Sequence, residues 1–140
     1  MPKNKEDSVK VTFKQFSKIV NKWNEMTAKT PDLAQTKFGY AVKRFFETNS
    51  PIVYKDYNLR LSTIRIDNAL EDEKTKAVLT KVSNRGFEYN KEGLKNVMKQ
   101  EQALEDEFEN KEFEVVPYFS KDFPKMNDQE VEVFKGFVVQ

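Results

Sequence analysis

The chain of 140 residues has no cysteine and no histidine, and only four glycines and five prolines. Without cysteine there is no disulfide framework and no thiolate. Without histidine the common metal ligand and the usual neutral-pH proton shuttle are both missing. Most catalytic chemistries therefore lack their customary residues. No apolar run approaches the roughly 18 residues of a membrane span. The first residues, Met-Pro-Lys-Asn-Lys-Glu-Asp, put no apolar stretch behind their basic groups and do not read as a secretory signal. A soluble intracellular protein without membrane contact is expected. A net charge of +1 also excludes a generally polycationic nucleic-acid binder.

What is present is charge and aromatic rings. Charged residues make up 34% of the chain and hydrophobic residues only 38%, which suits exposed helices, yet twelve phenylalanines lift the aromatic share to 13%. Rings of that size supply enough apolar area per helix to offset its ordering entropy, so a folded chain is expected. The length fits one domain over 1–140, with a core that needs no metal or disulfide staple.

Residues 1–11 are expected to fray. Thr12-Phe13-Lys14-Gln15 has the form of a capping box. Phe13, Phe16, Ile19, Val20, Trp23 and Met26 then share one helical stripe. Thr30-Pro31 should end that helix and start another with Leu33, Phe38, Ala41, Val42, Phe45 and Phe46 on its buried face. Asn49-Ser50-Pro51 should stop it, giving two aromatic-rich helices over 12–50.

From Ile52 onward both a two-residue alternation and a heptad fit. Helix-forming composition favours one long helix from about Tyr54 to Val82. Ser83-Asn84-Arg85-Gly86 would turn the chain, with Phe87-Glu88-Tyr89 as a brief extended rung. Asn90 would then cap a helix carrying Leu94, Val97, Met98, Leu104 and Phe108. Residues 52–110 thus read as an antiparallel helical hairpin. Over 111–140 the expectation is a short strand at Glu112–Val116 and a short helix capped by Asn127 and Glu130. The expected fold class is mainly α: a helical bundle with a long antiparallel hairpin and a short β/loop C-terminal segment.

Charge is uneven along the chain. Residues 1–60 hold twelve Lys and Arg against six Asp and Glu, and residues 61–140 hold twelve against seventeen. Between Glu101 and Glu114 seven carboxylates face one lysine. This implies complementarity within or between chains more than a polyanion site.

The motifs that could carry chemistry each have a plainer reading. Lys37-Phe38-Gly39-Tyr40-Ala41-Val42-Lys43-Arg44-Phe45-Phe46 superficially resembles an RNA-binding strand signature, but its surroundings read as helix. Asp67, Glu71, Asp72, Glu101 and Glu105 could imitate a carboxylate metal site, but helical sites of that kind use histidine, and a solvated acidic face is the simpler account. No nucleophile elbow, phosphate loop or dinucleotide fingerprint occurs. No catalytic, cofactor-binding or metal residues are therefore assigned, and no cofactor is expected. The candidate interface residues are the basic Lys37, Lys43 and Arg44, the acidic Glu105, Glu107 and Glu109, and the tail rings Phe119, Phe123, Phe134 and Phe137, which are hard to bury around a thin hairpin.

The order of elements from Ile52 to the C-terminus resembles a family of small, uncharacterised tailed-bacteriophage proteins. The likeness runs through Ile52-Val53-Tyr54-Lys55, the turn Asn84-Arg85-Gly86-Phe87, the Glu-rich second helix, Glu112-Phe113-Glu114-Val115 and Met126-Asn127-Asp128-Gln129-Glu130-Val131. It implies a non-enzymatic virion component or assembly factor, in the host cytoplasm or incorporated in a virion. It carries over no functional residues. Protein partners or self-association are expected. The alternative is a small regulator that holds a host protein or nucleic acid through the basic N-terminal helices.

Overall fold

The computed structural model describes residues 8–83 and 85–140. The fraying expected over residues 1–7, and Asn84 of the expected turn, lie outside the described residues. The fold is mainly α, with two small two-stranded sheets among the described residues. Its contacts divide the chain into two compact units: Met1–Tyr54 with Glu109–Gln140, and Lys55–Phe108.

The first unit contains a strand where fraying was expected. The alternation Val9-Lys10-Val11-Thr12 forms β1 (Val9–Thr12), which pairs antiparallel with β4 (Glu112–Val115) and leaves Val11 only 1% exposed. Thr12 then caps α1 (Phe13–Lys29) through the expected box. Its hydroxyl accepts from the Gln15 amide N–H, and the Gln15 carboxamide accepts from the Thr12 N–H. The α1 stripe buries Phe13, Phe16, Ile19, Trp23 and Met26. Phe16 meets Phe45, Phe46 and Tyr54, while Trp23 meets Phe38 and Phe134, so edge-on and tilted ring pairs make up much of this core.

The second helix departs from expectation at both ends. Pro31–Gln35 is a 3₁₀ turn, and α2 (Lys37–Asn68) begins after Thr36, whose hydroxyl accepts from the Gly39 N–H at 3.0 Å. Helix α2 then runs through Pro51, where a stop was expected. Proline removes one donor and crowds the preceding turn, a local cost that tertiary contacts override here. Asn49 and Val53 on either side of it are fully buried. The Asn49 amide donates to the Phe45 carbonyl at 2.9 Å and to the Val116 carbonyl at 2.8 Å, and its Oδ1 accepts from the Val116 N–H at 2.9 Å. One side chain thus stands in for a strand partner beyond the end of β4. The unit closes with α4 (Asp128–Phe134), capped by Asn127 and Glu130 as the sequence predicts.

The second unit takes the rest of α2, from Lys55, together with α3 (Lys91–Phe108). The helix expected over Tyr54–Val82 ends at Asn68, so no tight turn joins it directly to α3. Residues 69–83 and 85–90 instead hold a small β segment, in which β2 (Thr80–Lys81) pairs with β3 (Gly86–Phe87) and Glu71 bridges to Val78. The cause is local. The Asp72 carboxylate accepts from the Lys74 and Thr75 N–H groups, both at 2.9 Å, which competes with helix, and Lys76 follows at a positive φ of 63°. Asn90 caps α3 by accepting from the Gly93 N–H at 2.6 Å. Gly93 lets α3 start close to the end of α2, because a Cβ there would stand 2.7 Å from the Asn68 carbonyl oxygen.

Candidate functional site

A groove of about 1110 Å³ lies in the first unit. One wall is a single face of α2: Lys37, Tyr40, Ala41 and Arg44 stand at steps of three, one and three, the spacing of a helical stripe. The other wall is the segment from Tyr118 to Phe123. That segment is irregular, yet it is tied at several points. Thr48 on α2 donates to the Tyr118 hydroxyl at 3.0 Å, and the Tyr118 N–H donates to the Phe137 carbonyl at 2.9 Å. The nearly buried Ser120 donates its hydroxyl to the Asp122 carbonyl and accepts from the Asp122 N–H, while its own N–H donates to Val138. These bonds hold Phe119, Lys121 and Phe123 along the rim.

The lining mixes cations with rings. Among its side chains, Lys37, Arg44 and Lys121 stand against one carboxylate, Asp122, which pairs with Lys37 at 3.2 Å, and Gln140 also lines the groove. Tyr40 and Phe123 are 54% and 50% exposed, unusually open for such large rings. Arg44 makes no ion pair among the described residues. A second groove, of about 880 Å³ between α1 and α4, sets Lys18, Lys22 and Lys135 against Asp128 and Glu132, a smaller excess of positive side chains.

The predicted interface residues fall in different places. Lys37, Arg44, Phe119 and Phe123 come together in the first groove. Lys43 pairs with Glu47 one turn along α2 at 3.9 Å. Phe134 is fully buried between Trp23 and Phe38, so its ring belongs to the core and is not on offer to a partner. Phe137 is half-buried against Phe45, with ring centroids 5.8 Å apart. Of the acidic trio, Glu109 pairs with Lys14 at 3.1 Å, Glu107 pairs with Arg60, and Glu105 is exposed without an ion pair among the described residues. The uneven charge of the sequence is thus largely answered within each unit. The first unit carries fourteen Lys and Arg against twelve acids, and the second ten against eleven.

Tyr40, Tyr118 and Lys121 were not foreseen. The signal for Tyr40 is its position between Lys37 and Arg44 on the polar face of α2. No local pattern brings residues 118–123 to that face, because Asn49 and Ser120 arrange it through long-range bonds. The segment resembling an RNA-binding strand is helical, with Phe38 and Phe45 fully buried, so those two rings cannot serve as stacking platforms, and Tyr40 is the exposed ring of the segment. Two of the five carboxylates weighed as a metal set are engaged elsewhere: Asp72 with its turn, and Glu101 with Arg65 and Arg85. No group of three or more potential metal ligands converges among the described residues. No described helix is long and apolar enough to cross a membrane.

No protein-family model, curated protein or solved structure matches the chain. Nothing beyond its own residues therefore supports the likeness to small tailed-phage proteins.

Proposed function

We propose that this is a non-enzymatic interaction protein that works through protein–protein contacts, with the groove between α2 and residues 118–123 as the seat of its partner. The observation that carries this reading is Arg44, without an ion pair among the described residues, in one groove with two half-exposed rings, Tyr40 and Phe123. Aromatic side chains and arginine dominate the energetics of protein interfaces, and a solvated Tyr–Arg–Phe group has little structural reason to stay open. The setting we propose, a virion component or assembly factor, rests on the resemblance of the last 90 or so residues to phage proteins.

The rival is a small regulator that holds nucleic acid, since rings beside cations also suit single strands. The groove supplies three cations, of which one is already paired, and Asp122 and Glu47 stand close to them in sequence. That is a poor track for a phosphate backbone.

The test is the mass in solution, alone and mixed with candidate virion or host proteins, for the native chain and for an Arg44→Glu/Phe123→Ala double variant. A stable complex with a protein that the double variant loses is expected. A complex that survives both substitutions would move the seat away from the groove.

A further inference from the structure

Building on the groove as partner seat, we infer that its occupant is an extended acidic segment of a different protein, with carboxylates three or four residues apart and a large apolar side chain between them. Lys37 and Arg44 are seven residues apart on one helix face, about 10 Å at the α-helical rise. An extended peptide covers that distance in about three residues, and because its side chains alternate between faces, a spacing of four brings both carboxylates and the residue midway between them to the same side. Acidic side chains at those two positions reach Lys37 and Arg44, while the residue between them passes over Ala41, the smallest side chain of the α2 wall. Tyr40, next to Ala41 in the helix, and Phe123, on the other wall of the same groove, are exposed rings on which an aromatic or large aliphatic side chain can pack.

Charge sets the sign of the partner. The three cationic side chains of the lining exceed its single acidic side chain, Asp122, whose bond to Lys37 joins two mostly exposed side chains. An ion pair so placed holds weakly, so an incoming carboxylate displaces Asp122 at little cost. Lys121, on the opposite rim, then meets the partner's second flank.

Among the described residues a second copy of this chain does not offer such a segment in extended form: an exposed Leu70 lies between Asp67 and Glu71, but Asp67 belongs to helix α2. Its own acidic stretches around Glu105–Glu109 and Glu112–Val115 contain rings, but Phe108 is fully buried and Phe113 half-buried in β4. They present carboxylates without an apolar anchor.

The experiment uses the full chain and fluorescence anisotropy with a labelled peptide of core Glu-Ser-Phe-Ser-Glu. Two sister peptides carry Gln for both Glu residues or Ala for Phe, and a labelled poly-dT strand is the fourth probe. The first peptide should bind, and either sister should bind about tenfold more weakly. Arg44→Glu and Tyr40→Ala should each weaken the first peptide by a similar factor, with unchanged circular dichroism. Lys99→Glu, on the exposed side of α3, should leave it unchanged. Peptide-side losses make the result independent of any folding defect in the variants.

Equal binding of all three peptides, or none by any, overturns the inference. Tight poly-dT binding that Arg44→Glu removes would assign the groove to nucleic acid and also overturn it. A protein complex that depends on the groove, found alongside failure of the peptides, would leave the broader reading standing and remove only the acidic-segment assignment.

Discussion

The two units solve the problem of stability differently. Of the eighteen buried apolar residues among the described ones, fifteen lie in the first unit and only Val97, Leu104 and Phe108 in the second. The second unit instead exposes Leu59, Ile66, Leu70, Val82 and Met98. It ties its elements together with charge: Arg60 to Glu107, and Arg65 with Arg85 onto one Glu101. Phe108 adds an edge-on contact with Tyr57 and lies under the Arg60 guanidinium, 5.5 Å from the ring centre. Fully burying a side chain of that size is worth about 1.5–3 kcal/mol, whereas an exposed ion pair contributes about 0–1 kcal/mol. The first unit should therefore be the stable frame that carries the groove, and the second the weaker, salt-sensitive part.

Core truncation should separate the units most widely. Phe45→Ala removes a ring packed against Phe16, Phe46 and Phe137 and should cost about 3–5 kcal/mol in denaturant unfolding. Leu104→Ala, 3% exposed, should cost about 2–3 kcal/mol. Leu61→Ala should cost less than either because Leu61 is only half-buried. Equal losses at Phe45 and Leu104 would mean that the second unit has a core as demanding as the first.

The glycines sharpen the same comparison at the backbone. Alanine normally stabilises a helix relative to glycine, yet a Cβ at Gly39 would stand 2.5 Å from the Leu33 carbonyl oxygen, and at Gly93 2.7 Å from that of Asn68. Gly39→Ala and Gly93→Ala should each destabilise by about 1–3 kcal/mol. A gain in melting temperature at either site would show that the helices there have room to part.

How much of this was legible in the sequence follows the same division. The α1 stripe, both capping boxes and the start of α3 rest on local spacing, and local spacing revealed them. The passage of α2 through Pro51 was not legible, because it depends on the buried Asn49 bonding to Val116, 67 residues away. The loss of helix after Asn68 was partly legible. Val78-Leu79-Thr80-Lys81-Val82 has the β-branched alternation of a strand, but the Glu- and Lys-rich run before it masked the Asp72 turn. Four of the ten candidate interface residues meet in the groove. Phe134 does not, because a ring in an amphipathic helix is as good a core residue as an interface one, and only the fold decides.

Smaller effects should come from charge. Glu101→Gln leaves Arg65 and Arg85 without their shared carboxylate and should cost the second unit about 1 kcal/mol, less in high salt. The smallest should come from Asp72, whose carboxyl the Thr75 and Lys74 N–H groups hold below the usual aspartate range. Because its folded pKa is lower than the unfolded value of about 3.9, its contribution is present above that pH and fades as pH falls through the lower folded value. Asp72→Asn should flatten that part of the acid limb of a melting-temperature profile and leave the neutral limb unchanged in slope.

The claim that a ring-packed unit and a charge-tied unit share one chain is tested most directly by native-state hydrogen exchange at low and high salt. The account predicts that α3 amides exchange through openings of lower free energy than those of α1 and of α2 around Phe38–Phe45, and that salt lowers the α3 values while leaving the others in place. Equal opening free energies in both units, unmoved by salt, would contradict it.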